Sequence, residues 1–250
     1  MGMKMGRGLF VLLMMLAMGA PACAQTRRFD GWTTAVIAAD WRGGGQPIQA
    51  FDNARRDVTA GLLAAGFPRA GMVDYSLRPD VPDPTSAMDA LQGVTAAAQA
   101  NQNGCLLYFT SHGSPEGIVF GPDATISPLD MSQLVRRWCG ARPTVVVISA
   151  CFSGTFMGAL QAPNRMILTA ARRDRTSFGC GANETYPWFD GCVIESLPVS
   201  SDFLDLAAKT KACVTRRETE ADIELPSEPQ LFVGSEMQLR LPTLRFDRMG

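Results

Sequence analysis

Short apolar runs rich in β-branched residues recur along the chain, separated by stretches in which apolar residues return every three or four positions. TTAVIAAD (33–40), MVDYSLR (72–78), CLLYFTS (105–111), TVVVISA (144–150), RMILTAA (165–171) and QLFVG (230–234) predict strands. Between them, FDNARRDVTAGLLAAGF places Phe51, Ala54, Val58, Leu62 and Ala65 on one helical face and stops at Gly66. An Ala-rich helix capped by Ser86 runs toward Gln102; another, over 126–140, has Ser127 as cap, Pro128 in its first turn and Gly140 as its end. A charged amphipathic helix is expected over 201–220, a small hairpin at GIVFG (117–121), and a structured loop over 174–200. The acidic stretch RRETEADIELPSEP (216–229) reads as a solvated surface linker, with an activation loop as the alternative. Strands that alternate with helices imply an α/β fold, a mostly parallel sheet with helices on both faces.

The amino terminus departs from this pattern. Lys4 and Arg7 precede LFVLLMMLAMGA, and Ala22-Cys23-Ala24 fits the small-x-small cleavage rule, so residues 1–24 are expected to be a secretory signal peptide. Its apolar run is about half of the roughly 20 residues that span a bilayer. A lipoprotein anchor at Cys23 is the alternative processing. Periplasmic or secreted localisation follows, with no membrane association once the signal is removed and a single domain over 25–250.

Composition narrows the partners. With 23 basic and 24 acidic residues mixed along the chain, a net charge of -1 leaves no electrostatic footprint for nucleic acid. Beyond the leader there are six cysteines, Cys105, Cys139, Cys151, Cys180, Cys192 and Cys213, in no CxxC pair, and the chain has one histidine. That excludes a thioredoxin-like motif and a His-rich zinc site. Cys105 and Cys139 both fall at the amino ends of strands, where a bridge is geometrically reasonable. Cys180, Cys192 and Cys213 leave two pairings open, Cys192 with Cys213 or Cys180 with Cys192. One free nucleophilic cysteine leaves an odd number, so a second thiol is free or Cys151 is itself bridged.

In an open parallel sheet, loops converge at the carboxyl ends of the strands. The third strand delivers YFTSHG and the fourth VISACFSG. If these strands are neighbours, His112 and Cys151 emerge on one edge, and the sequence supplies a nucleophile in Cys151, a general base and acid in His112, and oxyanion donors in the N–H groups of Gly113 and Cys151. Either residue alone is more simply structural; the two together point to a cysteine hydrolase.

LLYFTSHGSPEGIVFG and TVVVISACFSGTF, supported by FDNARRDV, RMILTAARRDRTSFGCG and PSEPQLFVG, resemble the legumain family of cysteine peptidases in the caspase-like clan, in particular its small exported bacterial members. The resemblance runs from about Thr34 to Gly234. It implies a caspase-like three-layer sandwich, a His112–Cys151 dyad acting on a peptide or protein substrate without metal or organic cofactor, and a substrate pocket at Asn53, Ser149, Ser177 and Asp190. Legumains that cleave after asparagine carry an Arg-His pair near the first helix and a glutamate two residues before the cysteine; this chain has Asn53-Ala54 and Ser149 there. As the remaining pocket acid, Asp190 is expected to favour a basic or amide side chain, or alternatively to cap the next helix. Asp40, at the end of the first strand, is the candidate support for the histidine.

Two other functions share these residues. A transpeptidase or ligase would pass the same thioester to an amine, and a catalytically silent binding module would keep Cys151 buried or bridged.

Overall fold

The computed structural model describes residues 1–2 and 28–247; the expected signal peptide beyond residue 2, with Cys23, lies outside the described residues. The chain runs β1 (Trp32–Ala38), β2 (Arg42–Gly43), β3 (Gln46–Pro47), α1 (Ala50–Ala64), β4 (Met72–Ser76), α2 (Ala87–Ala100), β5 (Gly104–Thr110), β6 (Gly113–Ser114), β7 (Gly117–Val119), β8 (Thr125–Ile126), α3 (Pro128–Cys139), β9 (Thr144–Ser149), α4 (Phe156–Leu160), β10 (Arg165–Thr169), α5 (Trp188–Ser196), α6 (Phe203–Glu220), β11 (Gln230–Val233) and α7 (Ser235–Arg240).

Six strands form one sheet in the order β11-β10-β9-β5-β1-β4, parallel except for β11. The central strands β1, β5 and β9 are buried along their whole length, which explains why they read as continuous apolar runs rather than alternating ones. Side chains still alternate between faces. Leu106, Tyr108, Val145 and Val147 pack with Val58 and Leu62 of α1, Val193 of α5 and Leu206 of α6. Leu107, Phe109, Val146 and Ile148 pack with Val94 of α2, Val135 of α3 and Phe156 of α4. The result is helix, sheet, helix in three layers.

The caps are where the sequence put them. Ser86 accepts the N–H of Asp89, Ser127 that of Asp130, and α3 ends at Gly140 with φ +55°. Gly66, at φ +102°, lets the chain reverse after α1.

Two expectations need correction. Residues 188–196 of the supposed loop form α5, which carries buried Phe189, Asp190, Gly191, Cys192 and Val193; a short helix buried on nearly all sides has no polar face to betray it. The acidic stretch 216–229 is not simply solvated either. Its first residues close α6, Glu218 is buried and accepts the N–H of Ser227 at 2.8 Å, and Ser227 and Glu228 clamp onto Arg172 at 2.8 and 2.7 Å. The hairpin at 117–121 is β7 of a small three-stranded sheet, β6-β7-β8, and the glycine-rich turn after β1 contains the β2–β3 pair.

Cys105 and Cys139 are bridged, with Cα atoms 5.6 Å apart, at the amino ends of the sheet. Of the two remaining pairings, Cys192–Cys213 is the one formed, tying α5 to α6. Cys151 and Cys180 are free.

Candidate active site

β5 and β9 are hydrogen-bonded neighbours, paired from Cys105 with Thr144 to Thr110 with Ser149. Two residues beyond each end lie His112 and Cys151, on one edge as their strand positions require, and both half-buried.

The imidazole is held from two sides. Its Nε2 lies 2.7 Å from the carbonyl oxygen of Arg42, and the Phe51 ring meets it edge-on with centroids 5.0 Å apart. A carbonyl only accepts, so Nε2 carries the proton in this bond and Nδ1 is the nitrogen left to act as a base. Arg42 is in turn fixed by Asp40, a buried carboxylate whose Oδ1 accepts the N–H groups of Trp41 at 2.8 Å and Arg42 at 3.2 Å, and Arg42 Nε at 3.0 Å. Asp40 thus acts on the histidine through a peptide carbonyl rather than by touching it.

Cys151 Sγ faces the backbone of Ser177, whose N–H donates to it at 3.3 Å; the thiol in its protonated form donates to the Ser177 carbonyl at 3.5 Å, and Ser177 Oγ lies 3.6 Å away. The turn beyond is fixed: Phe152 adopts φ +55°, its N–H bonds the Arg175 carbonyl at 2.8 Å, and Ser153 Oγ accepts the N–H of Ala171 at 3.0 Å. Gly113 packs so closely on this turn that a methyl group there would collide with the Cys151 carbonyl oxygen. A residue with a side chain cannot occupy that position without moving Cys151.

The pocket residues divide. Ser177 stands beside the sulfur. Asn53 lies in α1, its Nδ2 donating to the Thr185 carbonyl at 3.1 Å and its Oδ1 accepting from Arg56, which ties the helix to the loop before α5. Asp190 has no exposed surface. Its carboxylate accepts the Tyr108 hydroxyl, Thr110 Oγ1 at 2.6 Å and Ser149 Oγ at 2.9 Å. Tyr108, Thr110 and Ser149 share one face of the sheet by strand alternation, and α5 lowers Asp190 onto all three. Burial raises the Asp190 pKa to about 6 against the opposing effect of the three hydroxyls. The next helix expected from the sequence, over 201–220, is capped by Asp202, and Asp190 lies inside α5 instead, so the capping alternative fails. Nor is it a surface acid, because a basic substrate side chain would have to displace hydroxyls to reach it.

Several of these groups carry no sequence signal. A backbone acceptor such as the Arg42 carbonyl is invisible in residue types. The Tyr108 and Thr110 hydroxyls sit in an apolar run, and only the alternation of the strand places them with Ser149. Among the described residues no cluster of three or more His, Cys, Asp or Glu is arranged to hold a metal ion.

Residues 86–197, from the cap of α2 through α5, match the model of the Peptidase C13 family. No curated protein matches the sequence. Among solved structures, the fold is similar to caspase-1 from Spodoptera frugiperda, with a TM-score of 0.61 over 90% of this chain and 94% of that one at 13% identity. The fold is therefore caspase-like. Both motif-bearing strands, β5 and β9, lie inside the segment that matches the Peptidase C13 family.

Proposed function

We propose that the protein is an exported cysteine endopeptidase that works with a His112–Cys151 dyad. The observation that carries this reading is the pairing of β5 with β9, which brings the chain's one histidine and a free cysteine to the same sheet edge, with Nε2 of the ring bound to the Arg42 carbonyl. Nδ1 takes the thiol proton, and the sulfur attacks the peptide carbonyl. The Gly113 and Cys151 amides receive the oxyanion. His112 then gives its proton to the leaving amine, a thioester remains, and His112 activates the water that hydrolyses it. The Arg42 carbonyl stabilises the imidazolium throughout, as an acceptor needing no titration of its own.

Ser177 and Asn53 line the path of the substrate. Ser149 and Asp190 act beneath it, fixing the carboxyl ends of β5 and β9. The leader at 1–24 and two disulfides in the folded chain support export.

The test is a peptide-library cleavage profile together with stoichiometric labelling by an acyloxymethyl-ketone probe. Labelling is expected to vanish in Cys151→Ala and to fall in His112→Ala. A folded, reduced sample that neither labels nor cleaves would falsify the peptidase reading, and transfer to an added amine in place of hydrolysis would make the protein a ligase.

A further inference from the structure

Four of the six cysteines beyond residue 24 are bridged, and the two left free lie in one place. Cys151 Sγ rests on the backbone of Ser177, and Cys180 follows three residues later on the same segment. That segment returns over the site. The Cys180 carbonyl lies against Gly43, next to the residue that holds His112, and its side chain packs on Ala38, Ile48, Ala50 and Phe51, the last of which meets the His112 ring edge-on. Glycines flank Cys180. Gly179 is in the left-handed region at φ +85°, and a methyl added at exposed Gly181 would meet only Glu184 Cγ at 3.9 Å. The backbone on that side has room to turn.

We propose that Cys180 is a resolving cysteine for Cys151, so that a hydroperoxide converts the site reversibly to a Cys151–Cys180 disulfide. The proposal rests on the reading of Cys151 as a reactive nucleophile. In the first step the Cys151 thiolate attacks a peroxide oxygen; an S–O bond forms, the O–O bond breaks, and the departing alkoxide or hydroxide takes the proton that His112 removed from the thiol, giving Cys151 sulfenic acid. In the second, Cys180 sulfur attacks that sulfur, the S–O bond breaks, and the hydroxyl departs with the Cys180 proton as water. Two thiols lose two electrons and the peroxide gains them. A dithiol reverses the reaction by exchange.

The order of events is set by environment. Burial, with the nearby charges of Cys151, Asp190, Glu184 and Asp40, holds the Cys180 thiol far above the ordinary thiol range, so it does not itself react with the oxidant. Cys151, half-exposed and the nucleophile of the proposed dyad, is oxidised first. Resolution by Cys180 then stops it short of the sulfinic and sulfonic acids, which a dithiol cannot reduce.

The experiment treats the reduced, folded protein with a small excess of hydrogen peroxide and maps disulfides by non-reducing peptide mass spectrometry. A Cys151–Cys180 linked peptide is expected, together with a loss of activity of about tenfold or more that dithiothreitol restores to within about twofold. In Cys180→Ala and Cys180→Ser, the reduced protein keeps its activity, but peroxide inactivates it without recovery and Cys151 carries two or three oxygens. Recovery by dithiothreitol as complete in the variants as in the parent, or Cys180 still alkylatable after Cys151 has been oxidised, overturns the proposal. Protein inactive before any oxidant is added would instead count against the peptidase reading, whereas the linked peptide is scored by mass without reference to activity.

Discussion

His112 is anchored to the carbonyl oxygen of Arg42 at 2.7 Å, and that carbonyl is positioned by a buried acid two residues earlier, Asp40. The histidine's support is therefore a relay of backbone geometry rather than a side-chain triad. Asp40→Ala should lower kcat by about a hundredfold while changing KM little, since misplacing a catalytic group by about 1 Å costs that much. Asp40→Asn keeps one acceptor and should lose less. Steady-state kinetics beside a thermal melt checks this; an Asp40→Ala enzyme with unchanged kcat would show that the relay does not matter.

Gly113 tests the proposed oxyanion geometry. Its closeness to the Cys151 carbonyl leaves no space for a methyl group. Gly113→Ala should cost about 100-fold to 1,000-fold in kcat, the size of effect seen when an oxyanion donor is lost. Circular dichroism should show the fold retained. Cys151 should still react, more slowly, with iodoacetamide, because the thiol is displaced but not removed.

Asp190 makes a prediction about pH. Its folded pKa of about 6 lies above that of an ordinary aspartate, so the folded state binds the proton more tightly than the unfolded chain. Its contribution to stability is therefore best at low pH and declines as pH rises from about 4 through about 6, by roughly 3 kcal/mol in all. Asp190→Asn should flatten that part of a urea-unfolding profile while keeping a partner for the hydroxyls. Asp190→Ala strands Tyr108, Thr110 and Ser149 in a dry site and should destabilise the protein by about 3 kcal/mol or more at pH 5. A profile equally steep in Asp190→Asn and the parent would assign the slope to other groups.

The Cys192–Cys213 bridge closes a short loop between α5 and α6, 21 residues apart in sequence. Replacing both cysteines by alanine should cost about 3 kcal/mol in denaturant unfolding. The same loss frees α5 to shift, so Asp190 should relax its hold on Ser149 and the ends of β5 and β9. Activity at 37 °C should fall further than activity at 15 °C.

How legible all this was in the sequence depends on the kind of interaction. The strands that matter announced themselves because burial on both faces demands unbroken apolar runs, and His112 and Cys151 stood out because a polar residue just past such a run has little reason to be there. Ser86 and Ser127 were readable because capping is local. Helix α5 was not, because a helix covered on nearly every side shows no 3.6-residue contrast, and the role of Asp190 went with it: an acid expected at a pocket surface is instead sealed under three hydroxyls. The Arg42 carbonyl left no trace in residue types. Cys180 was visible only as a remainder in the pairing of cysteines, and only the three-dimensional path of residues 177–181 brings it to the site.

The two bridges are buried almost completely, Cys105 at 0%, Cys139 at 1%, Cys192 at 0% and Cys213 at 4% exposure, while Cys151 and Cys180 are reached from solvent. The protein therefore sorts its sulfur by depth into an insulated set and an accessible one. Thiol–disulfide exchange needs a reagent to reach the sulfur, so a mild reductant at native pH can reset the site while the braces stay closed. Titration of the native, reduced-and-desalted protein with a chromogenic disulfide should count, from residues 28–247, Cys151 quickly and Cys180 slowly, and six thiols only after both denaturation and reduction. The chemistry of this chain can then be switched many times without loosening the frame that holds it.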